Sequence, residues 1–379
     1  MPTTSYWLEE LAPPLMSRPL AGKPEVVVIG GGVTGCSCAL TLAQHGVAVR
    51  LHDAREIAGG ASGRNGGFAL RGAATPYDVA RAQLGDDRAR RLMELTERSL
   101  DRLEELAGDA FRRVGSLRLA FDGGEREALR SEHDALRADG FAVEWLDDLP
   151  APLDRLYQGA LLHPRDGVLQ PARWVRRLAA RAAEVGAEIV EGDRVELDRL
   201  DAPAVVVATD GFTSSVLPEL AGTVTPTRGQ VLITAPLAQL RYPRAHYARD
   251  GYDYWHQRPD GRLVIGGNRD AALDEEQTAV EATTPVVQGR IEGLAARLMG
   301  EPPEVERRWA GIWGTMPDAT PLVGPVPGRD GVWIAGGYSG HGNVLGLACG
   351  DLVARAILGE RPPELELFDP ARLAIFGAA

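Results

Sequence analysis

Glu25-Val-Val-Val-Ile-Gly-Gly-Gly-Val-Thr-Gly35 is followed by Val47-Ala-Val-Arg-Leu-His-Asp53. The β-branched run to Ile29 contains no polar residue, the pattern of a parallel strand buried on both faces. Gly30-x-Gly32-x-x-Gly35 then opens a segment, Cys36 to His45, with helical spacing of apolar residues. Val47 to His52 reads as a second strand ending at Asp53. Strand, glycine turn, helix and strand make one βαβ unit. Gly30 serves the tight turn, Gly32 the approach of backbone to a pyrophosphate, and Gly35 the packing of helix on strand. The helix N-terminus at Val33 and Thr34 offers free N–H groups and the positive dipole end to phosphate. Asp53 lies 23 residues after Gly30, where a carboxylate accepts a ribose 2′-OH and repels a 2′-phosphate. The glycine fingerprint alone is weak evidence; the strand before it and the helix and acid after it make it specific. The stretch predicts a dinucleotide site that disfavours NADP.

Outward from this unit, Ala54 to Gly72 is rich in glycine and small residues and too long for a simple turn. Pro76 to Leu106 and Gly124 to Ala138 read as helices, with a strand over Val114 to Phe121 between them. Pro171 to Val185 is a helix with proline at its start, and Ala187 to Val190 a strand. Ala204 to Ala208 and Val332 to Ala335 are buried strands, each running into a glycine-containing turn. Val231 to Ile233, Tyr252 to His256 and Leu263 to Ile265 read as antiparallel strands. A last helix spans about Val344 to Leu358. The strands thus come in two styles. Segments 24–75, 160–222 and 310–362 form a parallel α/β domain. Segments 76–159 and 223–309 form an antiparallel sheet with helices. Residues 1–23 are an N-terminal extension and 363–379 a C-terminal tail. Interleaved segments imply a shared interface with the ligand between the domains. No second G-x-G-x-x-G follows a strand, so one site plus a glycine-rich C-terminal loop suggests a single long cofactor crossing the sheet.

The chain has 379 residues, with 53 acidic and 41 basic side chains and a net charge of −12. That balance argues against a nucleic-acid partner, which needs a basic face. No apolar run approaches the ~18 residues of a membrane span, and the first residues lack the apolar core of a secretory signal. Three cysteines, Cys36, Cys38 and Cys349, make no disulfide framework, which fits a reducing, cytoplasmic compartment. Lys23 is the only lysine, so a lysine nucleophile is excluded unless Lys23 supplies it. Gly60-Ala-Ser-Gly-Arg64 and Gly337-Tyr-Ser-Gly-His341 both miss the last glycine of the hydrolase elbow G-x-S-x-G. The histidines and cysteines form no zinc pattern, and no metal is expected.

Five motifs carry a family resemblance over almost the whole chain. They are Val28-Ile-Gly-Gly-Gly-Val-Thr-Gly35, Gly60-Ala-Ser-Gly-Arg-Asn-Gly-Gly67, Val207-Ala-Thr-Asp-Gly211, Asp260-Gly-Arg-Leu-Val-Ile-Gly-Gly267 and Gly337-Tyr-Ser-Gly-His-Gly342. Together they resemble the flavin-dependent D-amino-acid-oxidase-like superfamily, which includes glycine oxidase and sarcosine oxidase. The second motif and Ser5-Tyr-Trp7 are most similar to its γ-glutamylputrescine oxidase branch. The resemblance implies an α/β Rossmann-type FAD-binding domain of the glutathione-reductase-like kind, plus an α+β substrate domain with an antiparallel sheet. It implies FAD bound between Asp53-Ala54-Arg55, Ala61, Ser62, Arg64, Asn65, Gly66 and Gly67 on one side and Val195, Ala208, Thr209 and Gly211 on another. Gly337, Gly340, His341, Gly342, Asn343 and Val344 would line the flavin, their backbone N–H groups aimed at N1 and the C2 carbonyl. A helix N-terminus there stabilises the negative charge of reduced flavin.

Departures from the family narrow the expectation. No cysteine lies in Arg308 to Asp318, where sarcosine oxidase tethers its flavin, so FAD is expected to be non-covalent. Trp313 stands near the position of the carboxylate-gripping arginine of glycine oxidase, and a tryptophan makes no bidentate pair. Val264 stands near the oxygen-activating lysine of sarcosine oxidase. Tyr254 and His256 alternate on one strand and share a face with Tyr252. They are the candidate substrate-binding and catalytic residues, with Asn268 and Trp313 as further substrate contacts and His256 as a general base. Arg71 and Arg228 are candidate counter-charges for a distal carboxylate. The expected reaction is oxidation of a primary or secondary amine, with oxygen or another acceptor taking the electrons. A 2-hydroxy-acid oxidoreductase and a flavin-binding subunit of a larger dehydrogenase are the alternatives.

Overall fold

The computed structural model describes residues 3–373. Its first layer is a six-stranded sheet in the order Leu322–Pro325, Val332–Gly336, Ala204–Val207, Val26–Ile29, Val49–His52, Glu188–Val190. All neighbours are parallel except the edge strand Leu322–Pro325. Val26 and Val28 face a core completed by the helices Val33–Gln44, Pro171–Glu184 and Gly342–Ile357, whereas Val27 and Ile29 face Leu217, Leu220, Met316 and Leu322. Cover on both faces is why that strand is uniformly apolar.

The second layer is an eight-stranded sheet in the order Val305–Thr315, Thr225–Thr234, Leu263–Gly267, Asp253–Gln257, Ala245–Ala248, Ser116–Leu119, Ala160–His163, Glu144–Leu146. Only Ala245–Ala248 and Ser116–Leu119 pair in parallel. The helix Pro285–Met299 covers one face through Val287, Ile291, Leu294 and Leu298. Phe68–Ala69, Gly167–Leu169 and Phe111–Arg112 form a small third sheet that the sequence did not announce.

Several boundaries differ from expectation for visible reasons. The helix read over Pro76 to Leu106 is two, Tyr77–Leu84 and Asp86–Ala107, broken at Gly85 with φ +85°. The apolar stripe of the second packs Leu92, Leu95, Leu100 and Leu103 into the core of the six-stranded layer, although 76–159 was placed in the other domain. Ala160–His163 runs in the eight-stranded sheet, although 160–222 was placed with the first. Strand Asp253–Gln257 starts one residue later than expected, because Tyr252 is in the right-handed helical region at φ −74° and ψ −14°. The extension is packed: Trp7 is 1% exposed in the main core. In the tail, Leu367 and Phe368 join the same core. Residues 374–379 lie outside the described residues.

Candidate active site

A cavity of about 810 Å³ lies between the carboxyl ends of the parallel strands and the open face of the larger sheet, where open α/β sheets bind their ligands. At one end Ile29 and Gly30 enter the glycine turn. Gly30 has φ +114°, and a Cβ there would fall 2.4 Å from the Ala208 carbonyl oxygen. The helix Val33–Gln44 has no cap of its own; Ser62 Oγ accepts the Val33 N–H at 3.0 Å, joining this turn to the 60–67 loop. Asp53 Oδ2 accepts the Gly31 N–H at 2.6 Å and Oδ1 the Arg55 N–H at 2.7 Å. A carboxylate has about four lone-pair sites, so the acid that orders the turn retains acceptor capacity for a ribose hydroxyl. Arg55 is held by Glu281 through two bonds of 2.8 and 2.9 Å.

Thr34, Ala54, Ala61, Arg64, Asn65, Gly66, Val195, Ala208 and Thr209 also line the cavity, as do Gly32, Val33 and Ser62. The Arg64 guanidinium is turned into protein, donating to the carbonyls of Gly59 at 2.8 Å and Thr3 at 2.6 Å. It knits the loop to the extension. Trp7 does the same from below, its Nε1–H donating to the Asn65 carbonyl at 2.8 Å. On the far wall the helix Gly342–Ile357 begins at His341 with no side-chain cap, and Gly340, His341, Gly342, Asn343 and Val344 line the cavity. Its first-turn N–H groups are therefore available to an electron-rich ligand edge. Asn343 Nδ2 donates to the Phe68 carbonyl at 2.7 Å, tying this turn to the opposite loop.

Four expected cofactor residues stand behind the wall rather than in it. Gly35 is absent from the lining; a Cβ there would sit 1.9 Å from the Gly30 carbonyl oxygen, so its role is helix-on-strand packing. Gly67, at φ +79°, passes the Leu169 carbonyl, and Gly211 passes the backbone of Trp313. Gly337 donates its N–H to Asp210 Oδ1 at 2.9 Å. Asp210, within the Val207–Gly211 motif, itself lines the cavity. Its carboxylate also accepts Gly314 N–H at 3.0 Å and Tyr338 N–H at 3.4 Å, clamping the strand end after Trp313 to the Gly337–Gly342 loop. Burial pushes its carboxyl up, and these donors oppose the shift. Phe212, Tyr247, Arg269 and Glu281 are further lining residues with no local sequence signal, and Tyr338 lines it from within the Gly337–Gly342 motif.

The other end of the cavity is aromatic. Tyr254 and Trp313 line it. Each ring needs a glycine under it: a Cβ at Gly266 would lie 2.5 Å from the Tyr254 hydroxyl, and one at Gly229 2.2 Å from the Trp313 ring. Trp313 Nε1–H donates to Thr315 Oγ1 at 3.0 Å. Burial raises the Tyr254 and Tyr247 phenols, so both stay protonated at neutral pH.

His256 is not placed where a general base would act. It shares the strand face of Tyr254, as alternation requires, but the 60–67 loop and Trp7 cover it. It is 2% exposed, its Nε2–H donates to the Gly66 carbonyl at 3.0 Å, and its ring stacks on Trp7 at 6.4 Å. Burial pushes its pKa down to about 3, and it is not in the cavity wall. Asn268 is also buried behind the wall, at φ +56° in the turn after Leu263–Gly267, and Arg269 takes the lining position beside it. Arg71 and Arg228 lie outside the lining, paired with Glu97 and, at 2.7 Å, with Glu276. The one imidazole in the wall is His341, lowered to about 4 by burial and the charge of Arg118, with Nδ1 lacking a partner among the described residues. Cys36, Cys38 and Cys349 are buried and free, and none lines the cavity, so no thioether to a flavin can form there. Among the described residues no acid, histidine and cysteine cluster could hold a metal, and no helix is long and apolar enough to cross a membrane.

The donor set fits a dinucleotide-linked flavin: a glycine cradle, an acid at the second strand end, the unpartnered Thr209 hydroxyl and an uncapped helix start at the far wall. The comparisons agree. The chain is 27% identical to a "Probable oxidoreductase OrdL" of Rhizobium meliloti (strain 1021), over 98% of this chain and 92% of that one. It is 28% identical to the "Gamma-glutamylputrescine oxidoreductase" of Escherichia coli (strain K12), over 89% and 84%. The crystal structure of glycine oxidase from Geobacillus kaustophilus superposes with a TM-score of 0.74 at 22% identity, covering 93% of this chain and 99% of that one. The profile of the FAD dependent oxidoreductases designated DAO matches residues 25–356, and the fold, the cradle and this match together make the chain a member of the DAO family of FAD-dependent oxidoreductases.

Proposed function

We propose that this enzyme oxidises a small primary or secondary amine to an imine, which water hydrolyses to a carbonyl compound and ammonia or a smaller amine. The observation that carries the reading is one continuous cavity joining the dinucleotide cradle to an end walled by Tyr254, Tyr247 and Trp313. FAD, when bound, supplies the two-electron acceptor that takes a hydride from the carbon bearing nitrogen. The protein's own work is binding, orientation and exclusion of water. Trp313 and Tyr254 present ring faces that hold an aliphatic amine and exclude solvent. His341, kept neutral at pH 7 by burial, packs against Tyr247 in the wall and is too weak a base to take an ammonium proton, so the amine must arrive neutral. Relatives described as a γ-glutamylputrescine oxidoreductase and a glycine oxidase support an amine over a 2-hydroxy acid.

The test is the anaerobic visible spectrum of the flavin-loaded protein before and after a pool of primary and secondary amines. Bleaching of the flavin bands supports the reading, and splitting the pool finds the amine. Bands bleached by 2-hydroxy acids and by no amine would overturn it.

A further inference from the structure

The connection from strand Leu263–Gly267 to helix Pro285–Met299 crosses from one layer to the other. Residues 273–284 of it form no helix or strand. They leave the eight-stranded layer and reach the dinucleotide cradle, where Ala279, Val280 and Glu281 line the cavity. Val280 is 59% exposed, and Ala279 is exposed as well. A single thickness of chain therefore stands between this part of the cavity and water.

The two ends of the segment are held differently. Glu276 is fully buried. Its carboxylate accepts Arg228 Nε–H at 3.0 Å, Arg228 Nη2–H at 2.7 Å and Gln230 Nε2–H at 2.9 Å. Both donors stand on strand Thr225–Thr234, in the layer from which the segment departs. This end is a fixed hinge. Glu281 finds its partners on the other side. Its carboxylate accepts two bonds from Arg55, at 2.8 and 2.9 Å, with Arg64 at 3.6 Å. Its carbonyl accepts the Thr3 N–H at 2.9 Å and the Thr3 hydroxyl at 3.2 Å. Between the two acids, among the described residues, 277–280 make one hydrogen bond to anything outside the segment, from Arg228 Nη1–H to the Val280 carbonyl at 3.4 Å. The Arg55 side chain is 37% exposed, so water can replace the carboxylate and the pair opens at modest cost. Segments with few buried contacts and solvent-exposed hydrogen bonds are the ones that open locally.

We infer that residues 277–281 are a strap that opens to admit and release FAD, and that Glu281 is its latch, a positioning residue for the cofactor site. This goes beyond the amine reading and does not depend on it. The test compares the parent with Glu281→Gln and Thr3→Val. FAD release is followed by the rise of flavin fluorescence on dilution of the loaded protein, and rebinding by its fall when FAD is mixed with the stripped full-length chain. A latch that is weakened raises the open population, and an open population serves entry and exit alike. Both rates should therefore rise together, by about tenfold in Glu281→Gln, which loses charge-assisted bonds, and by about threefold in Thr3→Val, which loses a neutral one. FAD content at saturation reports that each variant folds, and Thr3→Val carries the test should Glu281→Gln fail to fold. Rates unchanged in both variants would overturn the inference. Faster release with unchanged rebinding would overturn it too, because Glu281 would then stabilise the loaded protein without gating it. Slower release in Glu281→Gln would also overturn it, marking the carboxylate as a group that the cofactor phosphates repel.

Discussion

Asp210→Asn changes one atom type in the clamp that joins the two layers at the cavity. The backbone should not object, because Asp210 has φ +45° and asparagine tolerates that region equally well. The cost is in hydrogen bonding. Oδ1 accepts from Gly337 N–H at 2.9 Å and Tyr338 N–H at 3.4 Å, and Oδ2 from Gly314 N–H at 3.0 Å. Whichever way the amide turns, its NH₂ confronts at least one backbone N–H. An unpaired buried N–H costs about 1–3 kcal/mol, and the surviving bonds lose their charged acceptor, so we expect a loss of about 2–4 kcal/mol. With an unfolding entropy of about 2.1 cal/mol/K for each of 379 residues, that is a fall in melting temperature of about 3–5 °C. Gly337 and Tyr338 lead into the helix whose start lines the cavity, so FAD should also be released more readily, by about tenfold for each 1.4 kcal/mol borne by the bound state. The assay is thermal unfolding of the loaded protein together with fluorescence of released flavin. A variant that melts within about 1 °C of the parent and retains FAD equally well would refute the clamp.

Three further outcomes are expected. Trp7→Ala removes a 1% exposed indole and its bond to the Asn65 carbonyl; urea unfolding should show a loss of about 3–5 kcal/mol and earlier FAD release, and unchanged FAD retention would show that the extension does not support the loop. Gly229→Ala sets a Cβ 2.2 Å from the Trp313 ring; the ring must move, at about 1–3 kcal/mol, and KM should change while FAD content does not. His246, His256 and His341 are held by burial at about 4, 3 and 4, below their unfolded value of about 6.5. The unfolded chain therefore takes up protons first as pH falls, and stability present above pH 6.5 is lost progressively toward pH 3–4. Urea midpoints at a series of pH values should show this slope, shallower in His256→Gln; parallel slopes would remove His256 from the account.

The site was legible in part. Local motifs found the cradle, because a glycine turn between a buried strand and a helix is a backbone requirement written in adjacent residues. They also found the last helix, read from about Val344 and beginning at Gly342, because an uncapped N-terminus after a glycine loop is local too. His256 misled for a physical reason: alternation along Asp253–Gln257 reports which side a residue faces, and it does face the cavity side. Whether that side is open depends on the 60–67 loop and Trp7, some 190 and 250 residues away in sequence. Asn268 misled by one position, because the left-handed turn at that residue directs Arg269 into the wall.

What the sequence alone determined is the class of the fold and a dinucleotide site, with the flavin implied by the family resemblance. Buried β-branched strands, the fingerprint and Asp53 depend on spacings short enough to read along the chain. What only the tertiary structure decided is the character of the substrate end. Its walls come from separate strands and turns, Tyr247, Tyr254, Arg269, Trp313 and His341. Tyr254, Trp313 and His341 are candidates from their own stretches, whereas Tyr247 and Arg269 are ordinary in theirs. Their chemistry arises from which charges find partners and which do not, and that is set by packing between distant segments.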